Sequence, residues 1–343
     1  MMASDLPHAP RLEAGSQWLL PSLALLLLLL FLLSLGLGEA PLSLPSAFGA
    51  LLAGERNLET LVLLELRLPR TLLGVMVGAS LGLAGAAMQG FLRNPLAEPG
   101  VIGVSSCAAF GAVVAFYSGL SLTFPLALPL GGIAGACLSV LFLHLLAGRQ
   151  ASTLSLILAG VAINAFAAAL TALALNLAPN PYAALEIVFW IMGSLADRTM
   201  AHVELVAPIM LLGAFLLVSS ARGLDALTLG EDTAASLGID LGLLRLKLVL
   251  GTALTVGSAV AVSGAIGFVG LVVPHILRPL VAQQPARLLP ASALGGAALL
   301  LAADLLVRLM PIGPELKLGV VTALIGAPIF LLLLRRLRRE LPD

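Results

Sequence analysis

Ten stretches of the sequence run apolar for 15 to 25 residues with few charges in them, and no other feature constrains the fold as much: 18–37, 71–90, 99–117, 122–146, 154–175, 203–218, 243–265, 267–281, 288–306 and 318–334. A helix needs about 20 such residues to cross the hydrocarbon of a bilayer. In lipid only a helix or a closed barrel satisfies its own backbone polar groups. The runs are continuous rather than alternating, which excludes a membrane β-barrel. Hydrophobic residues make up 60% of the 343 and charged residues 10%, against about 25% charged in a soluble domain. A water-soluble enzyme is therefore excluded, and the expected fold is an all-α polytopic membrane protein of about ten transmembrane helices. The sixth and eighth runs are the shortest and are expected to tilt little or to stop partway.

The apolar core of a cleaved signal is about 7–15 residues long. The first run has 20, and the small-residue site near Ala40 is followed by Pro41, so it reads as a retained span. Ten spans return both termini to one side. Of the lysines and arginines, 12 then fall on that side and 6 on the other, which places both termini in the cytoplasm. The expected organisation is a cytoplasmic tail over 1–17, a membrane domain over 18–334 and a basic cytoplasmic tail over 335–343, anchored by Arg335, Arg336, Arg338 and Arg339.

Short motifs recur between the halves. Gly100-Val-Ile-Gly103 opens the third span and Gly267-Phe-Val-Gly270 the eighth; Leu128-Pro129 returns as Leu289-Pro290, and Gly160-Val-Ala as Gly319-Val-Val. A shift of five spans inverts orientation, so spans 2–5 and 7–10 read as an inverted repeat, a common transporter design. Chance similarity among Gly/Ala/Leu-rich helices is the competing explanation. Small residues at three- and four-residue spacing, such as Gly74, Gly78, Gly82 and Gly85, favour close helix packing in lipid.

Chemistry-bearing groups are scarce. Only two lysines occur, Lys247 and Lys317, and no phosphate-binding loop is present, so the chain is not expected to hydrolyse ATP or to act as an enzyme. The four histidines lack metal-ligand spacing, and Cys107 and Cys137 sit in apolar runs as small hydrophobes; neither metal nor cofactor is expected. Zero net charge argues against nucleic acid. Among ionisable groups deep in spans, Asp304 has Arg308 four residues on, the spacing of a helical ion pair. This scarcity of intramembrane carboxylates counts against an ion-coupled secondary transporter. A scaffolding membrane subunit is the third alternative.

One connector differs from the rest. In the segment 226–240, Glu231 and Asp232 suit the first turn of a helix. Ala235, Ser236 and Leu237 continue it, Gly238 can end it in a left-handed cap, and Asp240 can cap the next helix. A docking knob and an ordinary interfacial connector both fit that pattern.

Six motifs in order complete the reading: Arg67-Leu-Pro-Arg70, Gly85-Ala-Ala-Met-Gln-Gly90, Asn94-Pro-Leu-Ala-Glu-Pro-Gly100, Leu229-Gly-Glu-Asp-Thr-Ala-Ala-Ser-Leu-Gly238, Gly267-Phe-Val-Gly-Leu-Val-Val-Pro-His275 and Gly319-Val-Val-Thr-Ala-Leu-Ile-Gly-Ala-Pro328. Over roughly residues 60–335 the chain resembles the FecCD-type permeases, the membrane subunits of ABC importers for iron siderophores, haem and cobalamin. The resemblance implies a homodimer in a bacterial inner membrane, with ABC ATPase subunits below and a periplasmic substrate-binding protein above. It implies that Glu231, Asp232, Ala235, Ser236, Leu237 and Gly238 form the ATPase-coupling helix. It also implies that Arg67, Arg70 and Arg308 receive acidic residues of the binding protein, with ordinary interfacial snorkelling as the alternative. Asn94 to Gly100 matches a cytoplasmic turn and is treated as architectural. Asn164 either lines the translocation path or makes an interhelical hydrogen bond. Tyr182, Trp190 and Met192 fall where the family has a short gating helix, and Met192 is expected beside Asn164 on the translocation path. Iron siderophore, haem and cobalamin all stay open as cargo, with iron chelates favoured as the family's commonest.

Overall fold

The computed structural model describes residues 12–38, 43–55, 57–148, 153–310 and 315–340, and every regular element among them is helical. In chain order the principal helices are α1 (Leu12–Gly36), α2 (Leu68–Phe91), α3 (Val104–Tyr117), α4 (Ala127–Ala147), α5 (Thr153–Asn176), α6 (Pro181–Ile191), α7 (Met200–Ser219), α8 (Glu231–Ser236), α9 (Leu241–Ser263), α10 (Val269–Leu277), α11 (Pro285–Leu309) and α12 (Leu318–Glu340). Each of the ten apolar runs becomes a helix; α6 and α8 lie between runs. Among the described residues seven helices are long and apolar enough to cross a membrane, those at α1, α2, α4, α5, α7, α9 and α11.

Lengths depart from expectation in two places. The sixth run is a full 20-residue helix, because Thr199 and His202 form a reciprocal cap that starts it at Met200. The third is short. Pro99–Ile102 makes a tight 3-10 turn, Gly103 takes a left-handed conformation (φ +78°), and only 14 residues of α-helix follow. Helix also extends into both segments read as tails, since α1 begins at Leu12 and α12 continues to Glu340. Residues 1–11, Arg56 and Arg149 lie outside the described residues, as do the side chains of Arg336, Arg338 and Arg339.

Upstream of α2, Val62–Arg67 forms a π-helical turn. Pro69 has no N–H to donate and its ring would crowd the carbonyl four residues back; a wider turn accommodates both. The turn continues the helix outward, so that Leu58–Phe91 forms one apolar rod of 34 residues.

Backbone contact between helices makes the core. A Cβ added to Gly82 would stand 2.0 Å from the Ser292 carbonyl oxygen, and one on Gly85 would stand 1.9 Å from that of Gly270. These positions let α2 lie directly on α11 and α10, where lipid supplies no hydrophobic drive between helices. In the other half, Gly132 meets Ala261 and Gly257 meets Ala136, which seats α9 on α4. The second span of each half thus packs on the fourth span of the other half (α2 on α11, α9 on α4), as the repeat expects. By contrast, α1 exposes Leu25, Leu26, Leu28, Leu29, Leu32 and Leu33, a surface suited to lipid.

Candidate functional site

Three regions hold the residues singled out from sequence. The first is α8. Gly230 (φ +107°) and Gly238 (φ +83°) bound it. At its end the Gly238 N–H donates to the Ala235 carbonyl and the Ile239 N–H to the Ala234 carbonyl, at 3.0 and 3.1 Å. This is the Schellman arrangement of a left-handed cap. Asp240 then accepts from the Leu243 N–H at 3.0 Å and caps α9. Only Ala234 of the short helix is buried; Asp232, Ala235, Ser236, Leu237 and Gly238 are exposed. Glu231 turns inward, accepting from Arg245 of α9 at 2.8 Å and from the Thr153 hydroxyl at the start of α5 at 3.0 Å. Just upstream, Asp225 accepts from the Ala286 N–H at 2.9 Å, in the first turn of α11. The exposed knob is therefore braced to three spans, of which only α9 was legible from chain connectivity.

The second region is at the opposite ends of α2 and α11. Asp304, 1% exposed, accepts from Arg308 at 3.0 Å and from Arg70 at 2.8 Å. Arg70 also pairs with Glu315. Arg67 donates to the carbonyls of Leu35 and Gly36, and Arg308 to those of Ser34 and Leu37. Two arginines thus satisfy the orphan carbonyls that end α1. Arg67, Arg70, Arg198, Asp197, Arg308 and Glu315 line a cleft of about 330 Å³. Arg198 is half-buried and donates to the Val262 carbonyl; desolvation pushes its guanidinium down from the ordinary value, with the Asp197 charge opposing. Four arginines against three carboxylates leave this cleft locally net positive. The i,i+4 pair was visible in sequence, whereas the approach of Arg70 from 234 positions away was not.

The third region lies where two helix breaks meet. A depression of about 380 Å³ is lined by Glu98, Ser105, Asn164 and the 265–267 backbone. Asn164 lines it and accepts a hydrogen bond from the Ser106 hydroxyl, the interhelical bond that was one of its two expected roles. Glu98 Oε1 accepts from the Phe268 N–H at 3.2 Å. Phe268 itself holds φ +67° at the start of α10. The motif around Glu98, expected as a surface turn, folds back into the bundle. The Pro99 ring abuts Gly270, which lies on Gly85 of α2. Gly85 is six residues from the Phe91 end of that helix, or about 9 Å at a rise of roughly 1.5 Å per residue. Sequence reasoning missed Glu98 because its motif is polar and rich in turn residues.

Met192 is not part of this lining. It ends α6, where the Ala265 N–H donates to the Ile191 carbonyl and the Gly319 N–H of α12 to that of Met192, both at 3.1 Å. Tyr182 is exposed on α6. Cys107 is buried as expected, whereas Cys137 is exposed on α4.

A family model described as the FecCD transport family matches residues 26–336. The ABC transporter permease protein YvrB of Bacillus subtilis (strain 168) is 43% identical over 85% of this chain and 84% of its own length. The vitamin B12 import system permease protein BtuC of Salmonella typhi is 41% identical over 94% of this chain and 96% of its own. That of Vibrio cholerae is 42% identical over 82% and 84%. A solved structure described as an inward-facing metal-chelate type ABC transporter superposes with a TM-score of 0.83 at 34% identity, covering 93% of this chain and 99% of that one.

Proposed function

The chain belongs to the FecCD transport family, as the permease subunit of an ABC importer of the FecCD/BtuC type, and from that membership we propose that two copies form the membrane path of an inner-membrane importer for vitamin B12. ATP is hydrolysed on separate cytoplasmic subunits, and a binding protein delivers the cargo from the other side. The observation that carries this reading is α8: a capped helix with its outer face exposed and Glu231 tied to α9 and α5, while Asp225, just upstream of it, ties the same connector to α11. A part so braced passes a displacement to several spans at once, whereas an uncapped loop would absorb it. Both termini lie in the cytoplasm in this reading, supported by the distribution of lysine and arginine.

Two relatives at 41–42% identity are named for vitamin B12 import, which supports cobalamin ahead of iron siderophore or haem. The net-positive cleft around Arg67, Arg70 and Arg308 suits carboxylates of the binding protein. Because these arginines are already engaged inside the chain, an incoming carboxylate competes with Glu315 for Arg70 rather than meeting a vacant cation.

The test is reconstitution in proteoliposomes with the ATPase subunits and binding protein. ATP-dependent, vanadate-sensitive accumulation of labelled cyanocobalamin is expected, and none with the chain alone. Accumulation driven by a proton or sodium gradient without ATPase would overturn the reading. Transport of a ferric chelate in place of cobalamin would replace the cargo while keeping the mechanism.

A further inference from the structure

We propose that Glu98, together with Asn164 and Ser105, forms a polar station inside the membrane path that takes hydrogen-bond donors of the cargo, such as the primary amides of a cobalamin. This rests on the chain being an importer subunit and adds a contact that sets cargo selectivity.

The placement is unusual for a carboxylate. An ionisable group at membrane depth is costly, and such groups face water-filled cavities or functional paths. Glu98 borders the 380 Å³ depression, on the break whose Pro99 ring abuts Gly270 of α10. There the chain breaks its helices twice, at Pro99–Gly103 and at 264–268, and these breaks carry the backbone irregularities Gly103 and Phe268. Irregular backbone at this depth is tolerated where it lines a cavity, and paired broken helices are where transporters place their substrate contacts.

The polar groups there have capacity to spare. One Glu98 oxygen accepts from the Phe268 N–H; the other has no protein partner among the described residues. Asn164 commits its oxygen to Ser106, and its Nδ2 has no partner among them. Ser105 adds a hydroxyl on the same wall. The wall therefore offers a charged acceptor, an amide donor and a hydroxyl, with Val101, Val161 and Ile266 between them. Charged acceptors bind neutral N–H donors about twice as strongly as neutral ones do. A carboxylate on the cargo would be repelled.

Glu98 also caps α10, so its removal alone would not separate the two roles. Glu98→Gln does: the amide oxygen still accepts from Phe268 and only the charge is lost. Uptake of cyanocobalamin and of a cobalamin with one amide hydrolysed to a carboxylate should be measured in the reconstituted complex, for wild type and Glu98→Gln at matched abundance. The expected result is a roughly fivefold or larger shift in relative uptake toward the carboxylate cargo in the variant, with Glu98→Asp near wild type. Comparing variant with wild type cancels the preference of the binding protein. In a chain with both native cysteines replaced by alanine, Asn164→Cys should react with a hydrophilic thiol reagent and be protected by cyanocobalamin. Unchanged selectivity in Glu98→Gln, or an Asn164→Cys thiol that reacts equally with and without cargo, would overturn the station. Absence of ATP-driven uptake by the wild-type complex would instead overturn the importer reading itself.

Discussion

Asp304 is the residue whose surroundings are most demanding. It is 1% exposed and shared by Arg70 and Arg308. Its loss strands two partly buried guanidinium groups with one fewer carboxylate. Breaking such a pair typically costs about 3–5 kcal/mol. Asp304→Ala should therefore lower the thermal unfolding midpoint in detergent sharply. Arg308→Ala should do so too, since it also frees the Ser34 and Leu37 carbonyls that end α1. An unshifted midpoint for Asp304→Ala would show that this network contributes little. Half of it was legible, because an i,i+4 pair is a local fact of helical geometry. The other half depends on how α2 lies on α11, which the glycines on that face permit without specifying.

At the scale of the element, α8 combines strict local signals with an exposed face. Gly238 holds φ +83°, a region a β-branched residue resists, at a cost of about 1–2 kcal/mol. Gly238→Val should unwind the cap. Leu237, 62% exposed, suits an apolar groove in a partner, and Leu237→Asp would bury an unpaired charge there. Both variants should insert at normal abundance yet lose stimulated ATPase activity and uptake together. Gly238→Asn, which tolerates the left-handed region, should retain most of both. Wild-type uptake by the Val and Asp variants would place the coupling contact elsewhere. The start and stop of this helix were readable because every signal lies within ten residues; its bracing to α5 and α11 joins segments far apart in sequence.

For the whole molecule, the two cross-packed halves leave a net-positive cleft at one end and the capped knob on α8. Docking of a binding protein on the arginine end should weaken as salt rises, because exposed charges are screened within about 8–10 Å at ordinary ionic strength. Glu315→Gln gives a sharper test. It frees Arg70 from one internal competitor while leaving Asp304 in place. A partly exposed pair is worth roughly 0–1 kcal/mol, so docking affinity should rise by up to about fivefold. Weaker docking in this variant, measured on immobilised complex, would show that Glu315 supports the surface and does not compete for it. This choice is cleaner than reversing the three arginines together, which would also detach the end of α1.

Membrane residence, the order of the ten helical runs, the ends of α8 and the start of α9 were determined by the sequence alone. Apolar run length and capping chemistry act over a few to about twenty residues, so a window that long contains their causes. The tertiary structure decided what the scattered charges do. Arg70 meets Asp304 and Glu315 across more than 230 positions. Glu98, 170 positions from its Phe268 partner, is brought from a turn motif to the wall of a depression beside α10. A hydropathy average reads its Asn-Pro-Leu-Ala-Glu-Pro surroundings as surface, because it weighs side chains against water. In the folded chain the weight falls on backbone instead. A broken helix must satisfy its free N–H groups inside lipid, and Glu98 folds toward α10, where it accepts the N–H that opens that helix.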